Sequence, residues 1–507
     1  MGKVFIIFMS LFLSSCWLST HQDPSSLVTV PSSYSQDTVY FKEEKEPEVD
    51  LTVWWKQFQD PLLNSLVMKA FLRNVDFQTA LEQISQSRAT YDMASSRRLP
   101  RLNLFGTAAR IRPTKDVIRL DPSDFFRLKP PLDKIPLIPQ DDLSLNPQNF
   151  FLLSFDASWE IDLFGKNRNI QKAAYYNFFS YQEKANYIKV STIAEVVKLY
   201  TQLRAAQQKL SITQKRIQVF EKLLFLVEKL KKAGLDTEIS YEQQVASFNE
   251  AKSLAPQLQE EIDLLISNLA FLLGGTMDSL KPLLQVSGRI PTALGKVPVG
   301  LPSDLLQKRP DIVAAQMALS SSGALVGAAK ACFFPSFSLT GIGGHASSLA
   351  SDFFKKSARL GIFAPTIDWS LFEGGRLIAQ LNMATSEQKL AALSYEKTVL
   401  NAFKEVEDGL TSYYEKVQVM GDVFIEYKAQ KKVVVLSKTL VDAGLSDLSS
   451  LLTQYAGLFS MQEHYIDTKE QALLGLIALY KALGGGWDFS GEDLVEELPK
   501  KEEAIGE

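Results

Sequence analysis

The chain of 507 residues has only two cysteines, Cys16 and Cys332, and three histidines, His21, His345 and His464, which lie far apart in sequence. No disulfide framework, CxxC pair, HExxH helix or Cys/His metal cluster can be built from so few ligating groups. No P-loop and no plausible Ser–His–Asp set occurs either. "GIGGHAS" is rich in glycine but does not open a helix, so it does not read as a phosphate cradle. The expectation is therefore a protein that is not an enzyme and that carries no cofactor and no metal. The formal net charge is only −4 and the pI about 5.7, so nothing favours nucleic acid as a partner. Beyond the N-terminus there is no run of 18 apolar residues, and no transmembrane helix is expected.

Proline is missing from two long stretches. None occurs between Pro147 and Pro256, or between Pro365 and Pro499. Apolar residues there recur at spacings of three and four, as in Ile188, Ile193, Val196, Val197, Tyr200 and Leu203, which is the signature of a helix face. The spacing predicts helices over Lys166–Lys232 and Gly375–Asp442, each about 100 Å long at 1.5 Å per residue. Helices of that length pair as coiled coils. Gly234 and Gly444 stand where a left-handed cap would end each one. Pro310 suits the first turn of another helix. Both signs of charge are scattered along these stretches and are expected on solvated faces.

The chain contains two copies of one pattern. Asp76, Pro100, Leu104 and Gly106 recur as Asp311, Pro335, Leu339 and Gly341, an offset of 235. Leu163, Phe164 and Arg168 recur 208 residues later as Leu371, Phe372 and Arg376. Ala233-Gly234-Leu235 returns as Ala443-Gly444-Leu445, and Leu273-Gly274 as Leu483-Gly484, both at an offset of 210. The drop in offset means that the first copy holds about 27 extra residues, a proline-rich segment from Pro113 to Pro147 that reads as a surface loop. The expected division is residues 1–15 as signal peptide, 16–50 as a tether and 51–285 and 286–487 as the two repeats. Residues 488–507 are expected to form an acidic, disordered tail.

Each copy also holds two strand candidates, near Leu102–Ile111 and Phe151–Leu163, and near Ser336–Gly344 and Leu360–Leu371. In "FLLSFDASWEIDL" the odd positions are apolar from Phe151 to Leu163, and five of the six even ones are polar, a period of two. Such a strand is long enough to cross a bilayer with its apolar face on lipid, Trp159 near an interface, and Asp156, Glu160 and Asp162 facing a watery lumen. Lipid tolerates no open sheet edge, and four strands are too few for a barrel, so several chains must close one barrel; dimer and trimer both satisfy this. A soluble sheet packed on a helix would give the same alternation.

The N-terminus has a short apolar run from Val4 to Leu13, as in a signal peptide. Leu13-Ser14-Ser15-Cys16 resembles a bacterial lipobox, which would make Cys16 the lipid attachment site. Trp17 replaces the Asp that would resemble an inner-membrane retention signal, leaving the outer membrane as the destination. Cys332 reads as a small buried apolar residue.

The segments "WWKQFQDPLLNSLV", "LPRLNLFG", "WEIDLFGKNR", "LPSDLLQKRPDIVAAQ", "AKACFFPSFSLTG", "LFEGG" and "AFKEVEDGL" resemble those of the outer-membrane efflux proteins, the TolC-like channels, and within them the NodT-type lipoproteins. The resemblance runs from about Trp54 to Trp487. It implies a mainly helical fold with a membrane β-barrel portion, a homotrimer of twelve strands and twelve tunnel helices. It also implies a periplasmic adaptor, an inner-membrane pump and outer-membrane lipid as partners. The cargo it implies is small solutes or drugs; a type I secretion duct for polypeptides shares the architecture, and a soluble coiled-coil scaffold is the reading from another class. The inter-helix turns then become the periplasmic tip and adaptor contact: Gly234, Leu235 and Asp236, with Gly444, Leu445, Ser446 and Asp447. Where family members often carry a ring of acids, this chain has Ser450 and Thr453, so the expected gate is Leu448, Ser450, Leu451, Leu452 and Thr453, and the closing contact is left open between apolar and polar.

Overall fold

The computed structural model describes residues 31, 34, 50–111, 148–292, 297 and 302–487. The signal peptide, the lipobox with Cys16, most of the tether, the proline-rich segment and the acidic tail lie outside the described residues.

Two helices, α1 (Pro61–Arg73) and α2 (Val75–Ser96), lead into strands β1 (Arg101–Ile111) and β2 (Gln148–Ile161). Then come the long helix α3 (Lys166–Lys232), its returning partner α4 (Glu238–Leu272) and the short α5 (Met277–Leu284). The second copy repeats the order with α6 (Leu305–Lys308), α7 (Pro310–Ala331), β3 (Ser336–Ser347), β4 (Arg359–Asp368), α8 (Arg376–Asp442) and α9 (Leu448–Ala482). The duplication is visible in lengths: α3 and α8 have 67 residues each, and α4 and α9 have 35 each. Pro310 opens α7 as expected, whereas Pro256 is absorbed inside α4.

The chain divides into two compact units. One holds the described residues of 89–175 and 321–388. It holds a single antiparallel sheet in the order β1-β2-β3-β4. The helix segments that enter and leave this sheet pack closely because their facing residues are small. Ser321 Oγ donates to the Ala173 carbonyl at 2.9 Å, and a Cβ on Gly327 would lie 3.0 Å from the Asn169 side chain. This explains why α7, whose composition is apolar enough to cross a membrane, serves here as a packing helix.

The other unit holds the described residues of 21–88, 176–320 and 389–487. Its core joins the two copies: Trp54 from the first stacks on Tyr480 from the second with centroids 5.1 Å apart. Trp55, Leu63, Val196, Val197, Tyr200, Leu203, Val399 and Val406 are fully buried around them. The three-and-four spacing of α3 is thus the core-facing stripe. Not every charge on these helices is solvated, against the expectation from charge scatter. The Lys209 side chain of α3 retains only 19% of its exposure and lies against Asp467 and, at 3.5 Å, Glu470 of α9. Paired helices bury part of their charged faces, and opposite charges compensate there.

Candidate functional site

The sheet has two chemically different faces, set by register. Leu104 pairs with Phe155, Phe155 with Gly343, and Gly343 with Gly361. One face therefore collects Leu102, Leu104, Leu153, Phe155, Trp159, Ile161, Leu339, Phe363, Pro365 and Ile367. Its large side chains are open: Phe155 is 55% exposed and Phe363 73%. Phe151 to Ile161 spans about 34 Å of strand, or about 25 Å of height at a barrel tilt, the thickness of an apolar membrane band. The opposite face carries Asn103, Thr107, Ser154, Asp156, Ser158, Glu160, Ser338, Thr340 and Thr366. It still includes Phe105, Leu152, Ile342 and Ile362, so it is mixed rather than wholly polar.

At the end of the sheet that joins the helices, each copy sets a tryptophan. Trp159 Nε1 donates to the Arg98 carbonyl at 2.9 Å, and Trp369 Nε1 to the Phe333 carbonyl at 3.1 Å. Asp156 and Glu160 lie on the face opposite Phe155. Glu160 is 3.4 Å from Lys166 Nζ. Asp162 has another task. The strand ends at Ile161, and the Asp162 carboxylate accepts from the Asn167 N–H at 3.1 Å and the Arg168 N–H at 2.6 Å. It caps the free amides at the start of α3, which corrects the reading of Asp162 as a member of the strand's polar face.

The two inter-helix turns are near copies. Gly234 has φ +74° and Gly444 φ +71°. The Leu235 N–H donates to the Leu230 carbonyl at 2.9 Å, and the Leu445 N–H to the Leu440 carbonyl at 2.8 Å, the double-bonded end that a left-handed residue permits. Thr237 and Asp447 then cap the returning helices through Ser240 N–H at 3.1 Å and Ser450 N–H at 3.3 Å. Leu235 and Leu445 are left 75% and 76% exposed. Asp236 and Ser446 are half-exposed and Asp447 is exposed. Of the gate candidates, Ser450 and Thr453 are exposed, and Leu448 and Leu452 are half-buried. Leu451 is only 5% exposed within the single chain. It is taken up in packing inside its own protomer and corrects the expectation that it is available to a gate.

Sequence reasoning missed Arg309. It is buried, pairs with Asp311 at 2.7 Å and Glu405 at 2.8 Å, and donates to the Ala482 carbonyl at 2.9 Å. One guanidinium thereby ties the start of α7 to α8 and to the end of α9; the RPD sequence at its position was the available signal.

The family model of the outer membrane efflux proteins matches residues 66–275 and 301–485. The chain belongs to the outer membrane efflux protein family. It is 29% identical to the solvent efflux pump outer membrane protein SrpC of Pseudomonas putida, covering 85% of this chain and 87% of that one. It is 28% identical to the outer membrane protein OprJ of Pseudomonas aeruginosa, covering 88% of each. Among solved structures it resembles the outer-membrane channel OprN, with a TM-score of 0.80 at 26% identity over 90% of this chain and 97% of that one. The fold is that of the TolC-like channels, in which long helices form a periplasmic tunnel. The chain is an outer-membrane exit channel of an efflux system. Channels of this family work with pumps and adaptors. The scaffold reading is thereby set aside.

Proposed function

We propose that three copies of this chain close one twelve-stranded barrel and one twelve-helix tunnel, through which small apolar solutes leave the cell. The observation that carries the reading is the four-stranded sheet with an exposed apolar face and, among the described residues, no partner for the outer edges of β1 and β4. Unpaired backbone groups in hydrocarbon cost several kcal/mol each, so β1 of one copy must meet β4 of the next. Asp156 and Glu160 then line the lumen. The cargo reading draws on relatives such as SrpC, named for solvent efflux.

The exposed Leu235 and Leu445, with Asp236, Ser446 and Asp447 beside the turn glycines, are the adaptor-facing tips. Closure rests on Leu448, Leu452, Ser450 and Thr453. Each exposed polar contact contributes only about 0–1 kcal/mol, so a docking adaptor outweighs the latch. Cys16 anchors the mature chain through lipid, energy comes from the pump, and the chain itself catalyses no reaction.

The test uses protein extracted from outer membranes. Native mass spectrometry is expected to give three chains, and planar bilayers to show a pore that opens further in Leu448→Ser/Leu452→Ser. A conducting dimer would overturn the trimer. Unchanged conductance in the variant would move the gate to the first tip, around Gly234. Loss of the chain is expected to raise cellular accumulation of an apolar dye; loss of a secreted polypeptide instead would favour the protein-export duct.

A further inference from the structure

The apolar face of the sheet ends differently at its two margins. Toward the helices it ends in Trp159 and Ile161 on β2 and Ile367 on β4, with Trp369 directly following β4. Toward the hairpin loops it ends in cations. On β1 the face runs Leu102, Leu104, Gly106, Ala108 and then Arg110. On β4 it runs Ile367, Pro365, Phe363, Gly361 and then Arg359, which pairs across the ladder with His345. Arg110 and Arg359 are both exposed.

The β3–β4 connection adds to this margin. Phe354 is 80% exposed and packs edge-on against Phe353, with ring centroids 5.1 Å apart. Both rings lie about 6 Å from the His345 ring, at 5.9 and 6.0 Å, and His345 Nδ1 is 3.0 Å from the Phe353 carbonyl oxygen. Lys355 and Lys356 follow, both exposed. Lys355 pairs with Asp352 at 2.6 Å, so one local acid is set against three local bases, Lys355, Lys356 and Arg359. Ala358, in the same connection, is buried.

A phenyl ring held outward in water is unfavourable, and the same ring next to a lipid-facing strip is buried by acyl chains. Cations at the edge of that strip snorkel to headgroup height, where phosphate is their complement. We propose that the outer rim of the sheet, formed by Phe354, Lys355, Lys356 and Arg359 with Arg110 on the far strand, binds phosphate-bearing lipid headgroups of the outer leaflet. The inference rests on the sheet crossing the membrane with its helix-bearing end toward the periplasm. Phe354 enters the top of the acyl layer, and Lys356 and Arg359 hold the phosphate oxygens.

The test compares two probes that differ only in phosphate, lipid A and its dephosphorylated form, added to the full-length protein in detergent. Retained lipid is counted by native mass spectrometry. The parent is expected to hold lipid A about tenfold more strongly than the dephosphorylated form, a difference matching one good charge-assisted contact. Lys356→Gln/Arg359→Gln is expected to hold both equally, and Phe354→Ser to hold both less. Millimolar inorganic phosphate is expected not to displace lipid A. Equal retention of the two probes by the parent, or an undiminished preference in the double variant, overturns the proposal. Full displacement by inorganic phosphate also overturns it, leaving a plain anion site. Retention of neither probe would instead count against the membrane placement of the sheet.

Discussion

The Trp159 indole donates a 2.9 Å hydrogen bond to the Arg98 carbonyl, in the turn that carries α2 into β1. A similar bond joins Trp369 to Phe333 in the second copy. By the 208-residue offset Trp159 corresponds to Ile367, so two indoles from positions two residues apart serve the matching turns of the two copies. A ring at the end of an apolar face with its N–H satisfied by the backbone suits a membrane interface, where one side is greasy and the other wet.

Trp159→Phe keeps a ring and removes this bond. The expected loss is about 1 kcal/mol, the usual net contribution of one hydrogen bond. Denaturant unfolding in micelles checks it. A variant as stable as the parent would show that the contact is incidental to the turn.

Glycine substitutions separate conformation from space. Gly444 and Gly274 both have positive φ, +71° and +62°. A Cβ on Gly444 meets nothing within 4 Å, whereas one on Gly274 would stand 2.4 Å from the Arg73 carbonyl oxygen. Gly444→Ala is expected to lose only the left-handed penalty, about 1–2 kcal/mol. Gly274→Ala must also displace backbone and is expected to lose clearly more. Thermal melts of the two variants check the order, and equal losses would contradict it.

The half-buried Glu463 of α9 has Oε1 without a hydrogen bond. Burial pushes its pKa up, and the nearby Asp467 and Glu250 add to this while Arg216 and Lys209 oppose it. The folded chain thus holds this proton more tightly than the unfolded chain. Its favourable contribution is present below the ordinary glutamate pKa of about 4.3 and is lost as pH rises through the folded value. Glu463→Gln is therefore expected to raise the melting temperature at pH 8 and to raise it much less at pH 4. Equal shifts at the two pH values, or a lower melting temperature at pH 8, would contradict this.

Much of the fold is legible in the sequence because its signals are long. Two proline-free stretches, each closed by a glycine, mark α3 at Lys166–Lys232 and place α8 within one residue. Alternation marks the strands, and the repeat offsets tie the copies together. The failures concern which neighbour a side chain meets. Asp162 continues the alternation of β2, yet its carboxylate turns to the amides of α3. Leu451 reads as a tip residue, yet its helix rotates it into its own protomer. Lys209 reads as a solvated charge, yet it is claimed by carboxylates of α9. Arg309, which the sequence does not single out, is claimed by Asp311 and by Glu405 of α8. Periodicity fixes a face, while the identity of what packs on it is a tertiary fact.

The account depends above all on the sheet meeting lipid on one face and water on the other. Adjacent residues of β2 test it. Phe155→Cys and Asp156→Cys, in a chain with Cys332 replaced by Ala, can each be labelled with an environment-sensitive fluorophore and reconstituted in bilayers. The label at residue 155 is expected to be quenched by nitroxide lipids and spared by iodide, and the label at residue 156 to show the reverse. Iodide quenching of both labels with none from the lipid probe would contradict the account and return the sheet to a soluble setting.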